Sequence, residues 1–411
     1  MYDVLIIGGG ASGLMAACAL SSAGLRVCLA EKQARVGRKL LSTGNGRCNL
    51  TNLRADRSRY HGGADFAQEV LRQFPPEKTL AVFRALGLPA RADSEGRVYP
   101  MSNQAASVLD ALRLYADENG CETRAETAVT SLRRVKGGFD ADDIRAKNAI
   151  VCTGGCAAPK LGGCSDGIRL LESLGHTAVP CRPALTALKV PAERVRALKG
   201  QRLQGRFTLL IDGRPSGSEE GEIIFGDAGI SGIAAMQLSR AAGDAIRDRH
   251  TAELSARALE ESEALALLRE KLHAAPKRAL EDLPGGIVGK RVGLTLMKDA
   301  GVGPLSRECG SLSEKELKLI ARTLSDWRFP ITGVQGFDAA QVTAGGIRVK
   351  EFDSRTMMSR LAPGLYAAGE VLDVDGDCGG FNLQWAWASA LTAAKDIITK
   401  TGGNKNAGLP L

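Results

Sequence analysis

Gly8, Gly10 and Gly13 fall at the spacing G-x-G-x-x-G, directly after the apolar run Asp3-Val4-Leu5-Ile6-Ile7 and directly before Leu14-Met15-Ala16-Ala17-Cys18-Ala19-Leu20, which is rich in helix formers. That order predicts strand, tight turn, helix. Gly8 permits the turn, Gly10 has no side chain to hold a pyrophosphate away from the backbone, and Gly13 lets helix and strand pack closely. The phosphates then rest on the unpaired N–H groups of the helix start, contributed by Ala11, Ser12 and Gly13. Gly24 ends the helix, 26–30 reads as a second strand, and Glu31 closes that strand where a carboxylate can accept both hydroxyls of an adenosine ribose. A mere tight turn explains neither Glu31 nor the third glycine, so these residues predict dinucleotide binding.

Other reactive side chains are less ordered. The ten cysteines include no C-x-x-C pair and no spacing with histidine that suits a metal, so reduced thiols are expected, without zinc or structural disulfides. Asp373 and Asp375 lack further ligands at a recognised metal-loop spacing, and no metal is expected. The stretch 32–52, with Lys32, Arg38, Lys39, Ser42, Gly46, Arg47 and Cys48, has little apolar periodicity. It suits a second anion-binding segment and a solvated loop about equally. Arg194, Arg196, Lys199, Arg202 and Arg206 read first as a solvated face, with an anionic substrate or RNA as the alternatives.

The elements around these residues follow from length and pattern. A chain of 411 residues with 44% apolar and 24% charged residues suits a soluble globular protein of two or three domains. No run approaches the length of apolar residues needed to span a bilayer, and Asp3 with the three glycines is unlike a signal peptide. The cytoplasm is the expected location, and the net charge of +8 suits anionic ligands. Residues 66–86 predict two helices joined at Pro75-Pro76, and 105–115 predicts another after an extended piece through Tyr99. Residues 121–142 read as strands with a hairpin turn at 136–138. Residues 149–155 form an apolar strand that ends in Thr153-Gly154-Gly155. Short strands are expected at 207–211 and 222–225, a helix over 233–238, and helices through 255–328, before the Gly-rich pattern resumes at Val342. That order is what an insertion into a nucleotide-binding domain looks like.

The opening glycines, Gly37-Arg38-Lys39, the run Gly44-Asn45-Gly46-Arg47-Cys48-Asn49 with Thr51-Asn52, and the stretch 373–389 together resemble the YhiN/BaiN-like family of FAD-dependent oxidoreductases. The resemblance covers nearly the whole chain. It implies that Arg38, Lys39, Ser42, Gly46 and Cys48 run along the FAD diphosphate towards the isoalloxazine, and that Thr153-Gly154-Gly155 returns against the cofactor. Gly369-Glu370 ends an apolar strand next to the first glycine turn, where Glu370 can bond the ribitol hydroxyls. Spacing alone shows a Gly-rich turn at Gly379-Gly380 before the last helix, which begins at Asn382-Leu383-Gln384. The resemblance implies that this turn approaches the flat flavin ring and that the helix's positive end meets the negative charge of the reduced flavin. Tyr99 lies in a segment resembling the family's G-R-V-[FY]-P and faces either the substrate pocket or the core. The chain departs from the family at Gly226-Asp227, where Thr-His is common, and at Ile233, often proline.

The expected architecture is therefore α/β: a Rossmann-like FAD-binding domain of the glutathione-reductase type over 1–188 and 341–411. Into it are inserted a β-barrel-like domain (189–250 and 329–340) and a helical subdomain (251–328). The expected function is NAD(P)H-driven reduction of a small organic acceptor such as a conjugated enone, 3-oxo bile-acid-like. There is no second G-x-G-x-x-G after a strand, so NAD(P)H is a transient co-substrate. A flavin-dependent amine oxidase of the aminoacetone type, a flavin-dependent tRNA-modifying protein, and a flavin binder without turnover are the rivals. Cys48, Cys378 and Tyr99 are the candidates for donating a proton or polarising a carbonyl, and no histidine sits in a recognisable motif. A small-molecule substrate is expected, with nucleic acid the alternative left open by the basic balance and no membrane partner. The sequence sets no oligomeric state.

Overall fold

The computed structural model describes residues 1–404 and 408–411. The chain divides into two compact units, one made of Met1–Pro183 with Gln341–Leu411 and the other of Ala184–Ala340.

In the first unit, β1 (Tyr2–Ile7), α1 (Ala11–Ser22) and β2 (Val27–Ala30) follow the predicted order. β1 pairs in parallel with β2 and with the strand Ile144–Val151, which pairs in parallel with Leu365–Ala367. Where both faces of the sheet are covered, as at 4–7, Val27–Ala30 and 149–151, the strands are apolar without alternation, whereas the first half of Ile144–Val151 alternates, with Arg145 and Lys147 exposed. Beyond Ile144–Val151 the sheet continues antiparallel through Gly138–Ala141 and Arg133–Val135. α1 is buried from Ser12 to Ser22 because it lies against the long helix Phe381–Thr401 and the helix Ala105–Glu118 as well as β1 and β2. Helices Ala64–Gln73 and Pro76–Ala85 meet at the prolines, with Pro76 at the first turn where its missing N–H costs nothing.

The helix Phe381–Thr401 ties this unit together. Trp385 Nε1 donates to Gly369 O at 3.0 Å and Trp387 Nε1 donates to Leu50 O at 2.8 Å. Gln384 donates to Phe74 O at 2.8 Å and to Thr79 Oγ1 at 3.0 Å, and accepts from Thr51 Oγ1 at 2.6 Å. Each of these polar atoms is buried, where an unmade hydrogen bond costs about 1–3 kcal/mol. The helix thereby fixes the 49–52 loop and the Gly369 strand end.

In the second unit seven strands pair in the order Trp327–Ile331, Ala252–Arg257, Arg202–Ile211, Arg214–Phe225, Gly229–Ser231, Leu188–Lys189, Gly333–Val334. The two strands at opposite ends of this order are joined by Thr332 alone. Consecutive Cα atoms are about 3.8 Å apart, so the sheet must curl until its edges nearly meet, which is the barrel-like form. The helix Ile233–Arg247 packs on the sheet, as does Glu314–Ser325, which also packs against Glu261–Ala274 and Lys290–Asp299.

Several elements depart from expectation. The strand Ala252–Arg257 runs into the start of the stretch 255–328 read as helical, and Trp327–Ile331 begins before that stretch ends. Alanine and glutamate favour helix, but Ala252, Leu254 and Ala256 point inward and pair between two strands, so tertiary pairing overrides propensity. Sheet and helices of this unit share one apolar core, from Phe207 and Phe329 to Leu268, Leu296 and Ile320. The segment Gly229–Ser231 just ahead of the expected helix 233–238 is a strand, and that helix runs further, to Arg247. Among the described residues no helix is long and apolar enough to cross a membrane.

Candidate functional site

The three glycines of the first turn differ in what surrounds them. Gly8 has φ +106°, and a methyl group there would lie 2.6 Å from Cys152 O. At Gly13 it would lie 1.9 Å from Gly8 O, so the helix sits on the strand end with no space for a side chain. At Gly10 nothing lies within 4 Å: bare backbone faces open space at the N-cap of α1, where no side chain caps the N–H groups and no acid sits in the first turn. That combination suits a phosphate. The Ala11 end of α1 is partly open, whereas Ser12 is buried, with its hydroxyl turned inward to Ala368 O at 3.4 Å. Ser12 can offer a ligand its N–H but not its hydroxyl.

Glu31 accepts from Gly9 N at 2.7 Å through Oε2 and from Gln33 N at 2.8 Å through Oε1. A carboxylate has about four acceptor sites, so two remain for ribose hydroxyls. Lys32 is engaged elsewhere, its Nζ 2.9 Å from Asp166. Burial works against its charge, but Cys164 and Asp166 hold the ammonium above its ordinary range. Lys32 is thus a strut between β2 and the helix Asp166–Ser173 and not a free cation.

The second loop is joined to the far end of the chain. Lys39 Nζ pairs with Glu370 Oε2 at 2.8 Å, and Glu370 Oε1 accepts from Thr343 N at 2.9 Å. Gly155 packs here too, its α-carbon so close that a methyl would lie 3.0 Å from Glu370 Oε1. Gly154 and Gly46, like Gly10, have nothing within 4 Å of an added methyl. Thr153 is packed against Gly167. Arg38 donates to Gln33 and to Lys160 O at 3.0 Å, and Ser42 donates to Lys39 O at 2.8 Å. Positive φ at Gly44, Asn45, Gly46 and Cys48 folds the loop back on itself.

At the start of the helix Phe381–Thr401, Gly380 has φ +100° and a methyl there would lie 2.6 Å from Thr51 O. The helix has no side-chain cap and no acid in its first turn. The Asn382 side chain is occupied by Gly376 N at 2.8 Å and Gly376 O at 2.7 Å, so it staples its own loop, and Leu383 packs on the core. Gly369, with φ +78°, is held by Ser389 and Trp385. Asn49 is buried beside Gly380 with its Oδ1 lacking a hydrogen-bond partner. Its orphaned oxygen and the three bare glycines fit a bound dinucleotide.

The three residues offered for proton chemistry separate. Cys48 is fully buried and burial pushes its thiol up to about 12, so it can neither reach a substrate nor ionise readily, which corrects its assignment as a catalytic group. Burial also raises the Cys378 thiol. Tyr99 is half-buried with the Arg47 guanidinium 4.7 Å over its ring, and burial raises its hydroxyl against the opposing pull of Arg97 and Arg47. A further pair had no signal in the sequence: His61 Nε2 lies 2.9 Å from Asp377 Oδ1, brought there by antiparallel pairing of Tyr60–Gly62 with Val374–Gly376. Among the described residues no cluster of three or more His, Cys, Asp or Glu could hold a metal ion, and Asp373 and Asp375 form none.

The family described as HI0933-like protein Rossmann domain matches residues 2–396. A 3-dehydro-bile acid delta(4,6)-reductase of Clostridium scindens is 35% identical over 405 residues, covering 96% of this chain and 98% of that protein. A ribosomal RNA dihydrouridine synthase of Escherichia coli is 29% identical over 412 residues, covering 97% of this chain and 98% of its own length. Among solved structures, a 3-ketosteroid delta1-dehydrogenase from Sterolibacterium denitrificans superposes with a TM-score of 0.50 at 14% identity, over 97% of this chain and 99% of that one. That likeness concerns the fold, and with a family match across almost every residue it leads to one conclusion: this chain belongs to the HI0933-like family.

Proposed function

We propose that the chain is an FAD-dependent oxidoreductase that saturates a carbon–carbon double bond conjugated to a carbonyl in a small organic substrate, with a reduced nicotinamide as electron source. The observation that carries this reading is the 35% identity to the bile-acid reductase over nearly the full length of both proteins. Bound FAD supplies the two-electron chemistry. The protein supplies binding, orientation and the proton. The uncapped start of α1 and the bare backbone at Gly10, Gly46 and Gly154 would hold the phosphates, and Glu31 and Glu370 the sugar hydroxyls. The uncapped start of Phe381–Thr401 offers N–H groups to negative charge. Of the candidate donors, Cys48 is fully buried, and Tyr99 keeps its proton at neutral pH, is half-buried and lies under the Arg47 guanidinium, which would stabilise the phenolate left by proton transfer, so Tyr99 is assigned the proton for the substrate carbon.

The RNA-modifying relative favours a second reading with the same bond chemistry, because the C5–C6 double bond of uracil is also conjugated to a carbonyl. The basic cluster argues for the smaller substrate. Arg194 pairs with Asp299 at 3.4 Å, Lys199 with Asp227 at 2.8 Å and Arg202 with Glu222 at 2.7 Å, leaving less free charge for phosphates. An anaerobic absorbance titration separates the readings. NADPH or NADH should bleach the bound flavin, and a 3-oxo-4-ene bile acid should restore its colour. Restoration by unmodified ribosomal RNA alone would move the assignment to RNA; absence of flavin after reconstitution with FAD would overturn both.

A further inference from the structure

We infer that Cys156 and Cys181 are a facing thiol pair that closes into an intramolecular disulfide on meeting a small organic disulfide. The two residues come from separate elements brought together by Thr343. On one side, Ala157 N donates to Thr343 Oγ1 at 2.9 Å, and a methyl on Gly155 would lie 2.5 Å from the same oxygen. Both neighbours of Cys156 therefore clasp Thr343.

On the other side, Ala178–Ala184 pairs with Val342–Ile347. Arg348 N donates to Thr177 O at 3.0 Å, and a methyl on Gly345 would lie 2.4 Å from Pro180 O. These contacts run in opposite chain directions, so the strands are antiparallel and Cys181 falls alongside Ala344, next to Thr343. The Cys181 thiol is hydrogen-bonded with Cys156.

Exposure selects this pair. All ten cysteines are free thiols, and only Cys156, Cys164, Cys181 and Cys378 are partly exposed. Cys18, Cys28 and Cys121 neighbour one another but are buried and closed to an oxidant. Cys164 is engaged with Lys32 and Asp166. Burial first, then Cys156, Glu370 and Asp373, raise the Cys181 thiol and slow its own attack on an outside disulfide, so Cys156 is the first nucleophile.

The Cys156 thiol loses its proton to solvent, and its thiolate attacks one sulfur of R–S–S–R. The Cys156–S–S–R bond forms, the R–S–S–R bond breaks, and RS⁻ leaves and takes up a proton. Deprotonated Cys181 then attacks Cys156 Sγ, forming the Cys156–Cys181 bond and expelling the second RS⁻, again protonated by solvent. Two protein thiols are oxidised and one small disulfide is reduced to two thiols. Each step consumes a thiolate, so closure should speed up as pH rises. The bridge would fasten the Gly154–Gly155 loop to the strand by which the chain leaves its unit.

The test is to expose the full chain, loaded with its cofactor, to excess oxidised glutathione, block remaining thiols, digest with trypsin without reduction, and map the products by mass spectrometry. We expect peptides 148–160 and 170–189 to be linked, with fragment ions assigning the bond to Cys156 rather than Cys152. Cys181→Ser should instead accumulate one glutathione on Cys156. Wild-type protein that keeps glutathione on Cys156 without the link, or that links Cys164 or Cys378, would overturn the inference.

Discussion

Gly10 and Gly13 belong to the same motif yet should fail in opposite ways. A methyl at position 13 meets the backbone oxygen of Gly8 at 1.9 Å, and backbone cannot step aside. Gly13→Ala should cost on the order of 1–3 kcal/mol or more and lower the melting temperature even without cofactor. At position 10, φ is −83° and the space is empty, so alanine fits the folded protein. Gly10→Ala should leave the apo melting temperature unchanged while weakening FAD at least tenfold (about 1.4 kcal/mol), read by titration of flavin fluorescence. Tyr99→Phe isolates one proton. The flavin spectrum should be preserved while kcat falls on the order of a hundredfold, the range of a lost general acid; an unchanged kcat would pass the role to another group such as His61.

His176 shows what an element boundary can hide. It is buried between Glu351 and Ser359, its Nδ1 2.9 Å from Glu351 Oε2, its Nε2 3.0 Å from Ser359 Oγ, and its ring stacked on Phe352 at 4.6 Å. The order Ser, His, Glu invites a hydrolytic reading. Ser359, however, is only 1% exposed, and its Oγ accepts from Leu361 N and Ala362 N, so its own proton goes to His176 Nε2 and no substrate can approach. The imidazole is therefore neutral with its proton on Nδ1, donated to Glu351. Burial lowers the His176 pKa below its ordinary 6.5, against the pull of Glu351. Between the folded value and 6.5 the unfolded chain binds more protons, so this contribution is complete above 6.5 and is lost as pH falls below it. Glu351, also held low, loses its part on further acidification, below its ordinary 4.5. Urea melts from pH 8 to pH 5 should show falling stability in the wild type, and His176→Gln should be less stable at pH 8 but flatter across that range.

At the scale of the whole molecule, the chain leaves the first unit at Pro183 and returns at Gln341, on the two strands Ala178–Ala184 and Val342–Ile347 that pair with each other. The ends left by removing the second unit are therefore neighbours. The apolar cores are also separate clusters, one around β1, α1 and Phe381–Thr401, the other around Phe207, Phe329 and Ile320. Replacing 184–340 by a short Gly-Ser linker should leave a protein that melts cooperatively and still binds FAD, measured by circular dichroism and flavin absorbance. Failure to fold would show that the insertion supplies stability that the separate cores do not suggest.

The glycine turn, β1, α1, β2 and the helices at Pro75-Pro76 were legible in the sequence because each depends on residues close in the chain: a turn needs its own glycines, a helix its own apolar spacing. The strand Ala252–Arg257 was not, because its composition favours helix and only pairing with Arg202–Ile211 and Trp327–Ile331 makes it a strand. The same division runs through the site. The open turn at Gly10 was readable from its motif, but that Lys39 meets Glu370, His61 meets Asp377 and Cys156 meets Cys181 depends on strands and helices closing gaps of up to 331 residues. Local sequence determined which residue types were available and where the backbone could turn. Tertiary structure alone decided which were buried, as with Cys48, and which charges faced one another, because burial and pairing are properties of the packed chain and are absent from any short stretch of it.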